Sequence, residues 1–242
     1  MNIILSKISD ILKVKETSLY KRYQKYIWEK QDTAVRKQLN IKLKLRGAEI
    51  LDTMTEACKE RGIPYWLEFG TLLGAYRDKT FMDHDYDLDV CILESDYSDG
   101  FDDYLKQFGF TVKRKLYLYN RMTKTRRLYE VVYNYKDFAM DMSLAFINGN
   151  ERDILMTCEF KGECATNEYE VHVYTHPYPL PLDKVTINGK EYNAPHKPEE
   201  TLSNIYGKTF MTPDPHWSTT GQYTNVKILD FEEYCSIMEG QW

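Results

Sequence analysis

Asp85, Asp87 and Asp89 occupy every second position immediately before the apolar run Val90-Cys91-Ile92-Leu93. In a strand alternate side chains share one face, about 6.6 Å apart along the chain, so this spacing predicts three carboxylates in a row at the head of a half-buried strand. At an effective dielectric of ~20, each neighbouring ionised pair repels by about 2.5 kcal/mol. A divalent cation removes that repulsion, and an all-oxygen ligand set suits Mg²⁺ or Mn²⁺. The pattern therefore predicts a strand whose head faces an ion; the plainer alternative is a solvated strand edge or an Asp-rich turn.

Upstream, Gly70-Thr71-Leu72-Leu73-Gly74 follows the short strand-like segment Tyr65 to Phe69 and opens a helix through Arg77. Backbone N–H groups at the mouth of a helix bind phosphate oxygens. Gly70 lets the chain approach closely, the Thr71 hydroxyl adds a donor, and Arg77 is placed to neutralise a diphosphate. Phe138 to Leu144 reads as a strand carrying a single acid, Asp141, the candidate third metal ligand or general base. Two metals ~3.5–4 Å apart stabilise both oxygens of an in-line phosphoryl transfer, and Asp85, Asp87, Asp89 and Asp141 supply carboxylates for such a centre.

Competing patterns are weaker. Asp83, Asp85, Asp87, Asp89 and Glu94 fall at calcium-loop positions, but Leu88 stands where the loop needs glycine for its sharp turn. Cys158, Cys164, His172 and His176 number enough for zinc, yet lack its usual spacing. His84 is a possible base beside the aspartates. The basic run Lys113-Arg114-Lys115, with Arg121, Lys124, Arg126 and Arg127, reads as a solvated hairpin or as an anion-facing surface.

Helical spacing of Leu39, Leu43, Ile50, Met54 and Cys58 predicts helix over 2–60, ended by Gly62 and Pro64. Strands are expected near 110–119, 127–135 and 138–147, with a helix through Phe101–Phe108 before them. An Asn188-Gly189 hairpin and a helix from Pro198 to Tyr206 follow. The stretch 148–180 reads as irregular. Alternating helices and strands give an α/β (α+β) fold, divided here into a basic helical arm at 1–38 and a body at 39–242.

Residues 1–50 hold twelve Lys or Arg against five Asp or Glu, whereas the rest holds twenty against thirty-two. A basic arm on an acidic body suits peripheral contact with an anionic membrane through residues 1–30, and the net charge of −5 argues against a nucleic-acid partner. No apolar stretch approaches the ~18 residues of a membrane span. The N-terminus makes a poor secretory signal, and five cysteines without a framework fit reduced thiols. A cytoplasmic protein is expected, resting at the inner face of the membrane.

The order Trp66-Leu67-Glu68-Phe69-Gly70-Thr71-Leu72-Leu73-Gly74-Ala75-Tyr76-Arg77, then Phe81 and Asp85-Tyr86-Asp87-Leu88-Asp89, closely resembles the LicD family. Ala194-Pro195-His196-Lys197-Pro198 and Leu202-Ser203-Asn204-Ile205-Tyr206-Gly207-Lys208 extend the resemblance. It implies a nucleotidyltransferase-like mixed β-sheet flanked by helices, here with an N-terminal helical extension. It also implies Mg²⁺-dependent transfer of a phosphorylated alcohol, such as phosphocholine or ribitol phosphate, from a CDP-linked donor to a hydroxyl of a glycan or lipid-linked glycan. Gly70 and Thr71 match the family's phosphate turn, Asp87 and Asp89 its paired metal aspartates, and Asp85 the acid before them. Asp141 fits its later strand acid, while Arg77 and Lys208 fit donor-binding cations. Tyr86 interrupts the unbroken Asp-Asp-Asp of many bacterial members, as in the fukutin-related pattern.

Overall fold

A computed structural model describes residues 18–98, 100–160, 168–214 and 226–240. Its longest element is helix α1, Ser18–Arg61, which runs unbroken across the boundary drawn at residue 38. Residues 33–38 are exposed, although Arg36 lies over the Tyr86 ring at 4.5 Å, and Leu39 packs against the main core. From there Leu43, Ile50, Leu51, Met54, Ala57 and Cys58 form one stripe, each at most 1% exposed. Each large side chain in that stripe contributes about 1.5–3 kcal/mol by leaving water. The stretch 2–17 of the expected helix lies outside the described residues.

After α1 come β1 (Tyr65–Leu67), α2 (Phe69–Leu73), a π-helical turn (Gly74–Asp78), β2 (Asp89–Leu93) and α3 (Phe101–Gln107). Three long strands follow: β3 (Phe110–Asn120), β4 (Thr125–Tyr135) and β5 (Phe138–Asn148). Then come β6 (Glu151–Phe160), β7 (Glu168–Pro177), the hairpin β8 (Asp183–Ile187) and β9 (Lys190–Ala194), and α4 (Pro198–Tyr206). Strands β10 (Val226–Ile228) and β11 (Tyr234–Gly240) complete the described chain. The expected strands near 110, 127 and 138, the Asn188-Gly189 hairpin and the helix opened by Pro198 all form, but β2 begins only at Asp89, so Asp85 and Asp87 lie in the connection before it rather than on the strand expected to carry all three.

The mixed α/β class holds, but the sheet is not an open one merely flanked by helices. Strand β5 pairs with β4, β4 with β3, β3 with β11, β11 with β7, β7 with β6, and β6 returns to β5. The result is a six-stranded, barrel-like ring, with β2 and β1 extending from β5 and β10 added to β7. Bulges between Val112 and Arg114, Leu116 and Tyr117, and Thr157 and Phe160 supply the local bending that closure needs.

Closure also corrects the irregular reading of 148–180, which contains two ten-residue strands. Their pattern was obscured because Arg152, His172 and His176 are buried polar residues at positions where an apolar side chain would have announced a strand.

One of these residues anchors the fold. Arg152 and Glu68 are both fully buried, with Nη2 at 2.9 and 3.2 Å from the two carboxylate oxygens. Trp66 Nε1 donates to Glu68 at 2.7 Å, and Arg152 Nη1 to the Pro177 carbonyl at 2.7 Å. Glu68 stands immediately before α2, so the pair fixes the start of that helix to the β6–β7 end of the ring. Removing one partner strands the other charge in the interior. Arg152→Leu should therefore lower unfolding free energy by about 3–5 kcal/mol in urea titrations, and the double variant Glu68→Gln/Arg152→Leu should recover part of that loss.

Candidate active site

The only parallel ladder described joins β2 to β5 and places Asp89 directly opposite Asp141. The Asp141 N–H donates to the Leu88 carbonyl at 2.8 Å, locking the register at this point. Val132 on β4 pairs with Asp141, and Arg114 on β3 pairs with Val132. Residues directly opposite one another share a face, so Asp89, Asp141, Val132 and Arg114 form one row across four strands. Glu130 follows in the next row, opposite Ser143 and Leu116.

The glycine turn lies beside this row. Phe69 takes the left-handed conformation (φ 45°) and turns the chain from β1 into α2. Leu72 makes the first intrahelical bond, to the Glu68 carbonyl, so the N–H groups of Gly70 and Thr71 precede the helical ladder. Thr71 Oγ1 accepts the Asp89 N–H at 2.9 Å and thereby ties the turn to the carboxylate strand. At Gly70 a Cβ would lie 3.1 and 3.2 Å from the Asp85 carboxylate oxygens. The close approach that needs glycine is thus made by Asp85. At Gly74 a Cβ would meet the Thr80 carbonyl at 2.7 Å, so the π-helical turn also requires glycine.

Burial and mutual repulsion disfavour full ionisation of this cluster. Burial and the neighbouring Asp87 carboxyl push Asp85 up to about 9. Burial, followed by the charges of Asp87, Asp141, Asp85 and Glu130, holds Asp89 well above the usual carboxylate range. Asp141 is raised by burial to about 6, with Arg114 opposing the shift. Glu130 is raised to about 8 by burial and the Asp141 charge. Asp89, Glu130 and Asp141 are nonetheless half-buried rather than sealed, and Glu130 and Asp141 line a cleft.

The donor set suits a hard divalent cation: Asp85, Asp87, Asp89 and Asp141 offer only oxygens, and Asp85 Oδ2 is buried without a donor. As they stand, no three His, Cys, Asp or Glu side chains among the described residues enclose an ion.

Other sequence candidates fall elsewhere. Arg77 is bonded to Asp78 at 2.8 Å and to the Phe210 carbonyl at 3.3 Å, so it secures the segment that carries the exposed Lys208. His84 is exposed. Asp83 pairs with Lys44 and Glu94 with Arg127, which separates the two ends of the calcium-loop pattern. His172 and His176 lie four residues apart on β7, about 13 Å along a strand, too far to share one ion. Cys164 lies outside the described residues.

Of the basic run, Lys115 pairs with Asp102, Arg121 with Glu168 and Arg126 with Glu239, whereas Arg114 lines the cleft. Glu130 was not anticipated. Its signal was of the same kind as that of Asp141, a lone acid within the apolar run Tyr129-Glu130-Val131-Val132-Tyr133.

The family model for the LicD/FKTN/FKRP nucleotidyltransferase domain matches residues 62–197. That is more than half of the chain, and it includes the turn and all four aspartates: the chain belongs to this family. Ribitol-5-phosphate transferase FKTN of Mus musculus is 27% identical over 188 residues, covering 75% of this chain and 37% of that protein. The chain therefore spans little more than a third of that relative's length.

Among solved structures, the antibiotic-resistance factor ANT(2'')-Ia in solution aligns with a TM-score of 0.44 at 14% identity, over 73% of this chain and 78% of that one. The crystal structure of ANT(2'')-Ia with adenylyl-2''-tobramycin aligns at 0.42 and 14% identity, over 71% and 80%. Neither likeness bears on the chemistry of this chain.

The raised carboxyls make a pH prediction. An acid whose folded pKa exceeds its unfolded value binds more protons when folded, so stability falls as pH rises between those two values. Without divalent ions the cluster should destabilise the protein progressively from about pH 4 to about pH 9. In thermal melts Asp89→Asn should flatten this slope, and Mg²⁺ should raise the melting temperature most at the alkaline end.

Proposed function

We propose that this chain is a divalent-cation-dependent phosphotransferase that moves a phosphorylated alcohol from a CDP-linked donor to a hydroxyl of a glycan or lipid-linked glycan. Family membership supports the transferase class. The observation that carries the reading is the pairing of Asp89 with Asp141 beside a helix mouth tied to Asp89 through Thr71. Carboxylates for an ion and N–H groups for a phosphate oxygen then face the same reacting phosphorus.

In this reading Asp87, Asp89 and Asp141 would hold Mg²⁺ or Mn²⁺, with Asp85 at the edge of the cluster. The ion would neutralise charge that develops on the transferred phosphoryl group and its leaving group. Gly70 and Thr71 would orient the diphosphate, and Lys208 would meet its outer charge. The acceptor hydroxyl oxygen forms the new P–O bond. The bond bridging to cytidine monophosphate breaks, the leaving phosphate keeps the electron pair, and the hydroxyl proton passes to a carboxylate of the cluster.

With Mg²⁺ and an acceptor, the protein should release cytidine monophosphate from a CDP-alcohol. Asp89→Asn should reduce turnover by at least about a hundredfold while leaving the melting curve cooperative. Full activity in that variant, or in excess chelator, would refute the reading. Release of pyrophosphate from a nucleoside triphosphate would instead identify a nucleotidyltransferase.

A second part of the proposal concerns location. No helix among the described residues is long and apolar enough to cross a membrane. The basic N-terminal region suits reversible contact with an anionic surface carrying the acceptor. Deleting residues 1–30 should weaken sedimentation with phosphatidylserine vesicles at low salt, and equal binding by both forms would discard the contact.

A further inference from the structure

The strand ring encloses a cavity of about 280 Å³, whose wall includes Asp141, Glu130 and one basic side chain, Arg114. An irregularity of β3 puts that arginine there. Val112 pairs with Tyr133 and Arg114 with Val132, so Lys113 is an extra residue on β3. Without it Arg114 would stand opposite Val131, whose β5 partner is Met142, on the face away from Asp141. With it Arg114 stands opposite Val132, whose β5 partner is Asp141. Bulges beside active sites re-aim side chains, and this one turns a guanidinium into the carboxylate row. On its other flank Arg114 pairs with Gly240 of β11, which puts no side chain beside it. A Cβ at Gly240 would lie 2.7 Å from Arg114 Cα and 3.0 Å from its Cβ.

We propose that Arg114 is a catalytic residue, whose guanidinium meets the non-bridging oxygens of the phosphoryl group as it passes from donor to acceptor. The inference rests on the transfer reading above and adds a residue to it. Charge gives the first argument. The charges of Asp85, Asp87, Asp141 and Glu130 all act on Asp89, and a donor diphosphate adds more negative charge. One divalent ion offsets only part of that total. Arg77, the cation placed nearest the turn in the sequence, is engaged by Asp78 and the Phe210 carbonyl. Lys113 also acts on Asp141, but it is not part of the cavity wall.

Reach gives the second argument. One strand separates Arg114 from Asp141, about 10 Å between backbones, and the residue between them, Val132, is apolar and fully buried. A phosphoryl group held at Asp141 is thus faced by the guanidinium across Val132, and the arginine's charge already acts on Asp141 and Glu130. The guanidinium stays charged at any working pH and presents a planar fork of donors that matches phosphate oxygens. During transfer Arg114 makes and breaks no covalent bond and gives up no proton. Its hydrogen bonds strengthen as charge spreads over the oxygens of the moving phosphoryl group. A counter-charge that merely balanced Asp141 and Glu130 would change stability and leave the rate alone.

The test follows cytidine monophosphate release with Mg²⁺ from CDP-ribitol, CDP-glycerol and CDP-choline, with water or methyl glycosides as acceptors. Wild type, Arg114→Ala and Arg114→Lys are compared, and calorimetry with CDP, with and without Mg²⁺, reports donor binding separately. For whichever donor wild type uses, Arg114→Ala should lower kcat at least about a hundredfold, with donor KM and CDP affinity changed by less than about threefold. Guanidinium chloride, well below its denaturing range, should restore at least about tenfold of that loss and leave Asp89→Asn as it was. Arg114→Lys keeps the charge without the planar fork and should lose about tenfold in kcat with a cooperative melt. If the alanine variant does not fold, the lysine variant decides, and wild-type kcat in it would overturn the assignment. An unchanged kcat in Arg114→Ala, or a loss that guanidinium does not restore, would overturn it while the transfer reading stands. Release by wild type from none of these donors would overturn the transfer reading, and the role of Arg114 with it.

Discussion

The parallel pairing of β2 with β5 sets the register on which the rest of the site depends. A slip of one residue would turn Asp89 to the opposite face from Asp141 and send Val90 out of the core. That register is held from both ends. The Asp141 N–H reaches the Leu88 carbonyl at the head of the ladder, and Val90, Ile92, Met142 and Leu144 pack into the main core further along. Burial of the apolar face thus holds together charges that would otherwise separate.

The glycine turn and the carboxylate strand act as one unit. Thr71 accepts the Asp89 N–H, Gly70 leaves room for Asp85, and Glu68 fixes the start of α2 through its buried pair with Arg152. The last contact is the least expected, because Arg152 comes from a strand more than eighty residues downstream. It links the ring's closure to the placement of the turn: if β6 did not complete the ring, Arg152 would not stand beside Glu68. The ring therefore both encloses the cavity and braces the helix mouth.

Much of the candidate site was legible because its residues are close together in the sequence. The alternating aspartates, the glycine turn and the apolar run behind them are all contained in twenty-four residues. Asp141 was visible as an acid within an apolar strand, but its partnership with Asp89 was not, since spacing does not reveal which strands are neighbours. Glu130 gave the same signal and was passed over, because only the β4–β5 pairing brings it into the cleft. Arg114 looked like the rest of a basic hairpin. It differs because alternate residues of β3 face inward, while Lys115 turns out to Asp102.

Sequence alone determined most secondary elements from α1 to β5, though not that β2 starts at Asp89, and also the hairpin at Asn188-Gly189, the helix after Pro198 and the glycine-turn and aspartate pattern of the family. Hydrophobic period, turn residues and short-range charge repulsion are properties of neighbouring residues, so a linear reading reaches them. Tertiary structure decided the closure of the ring, the burial of Arg152 and His176 on strands that look irregular, the employment of Arg77 as a structural tie, and the entry of Glu130 and Arg114 into the cleft. Those outcomes depend on hydrogen-bonded ladders between distant segments, and a ladder's partner is not written in either strand taken by itself.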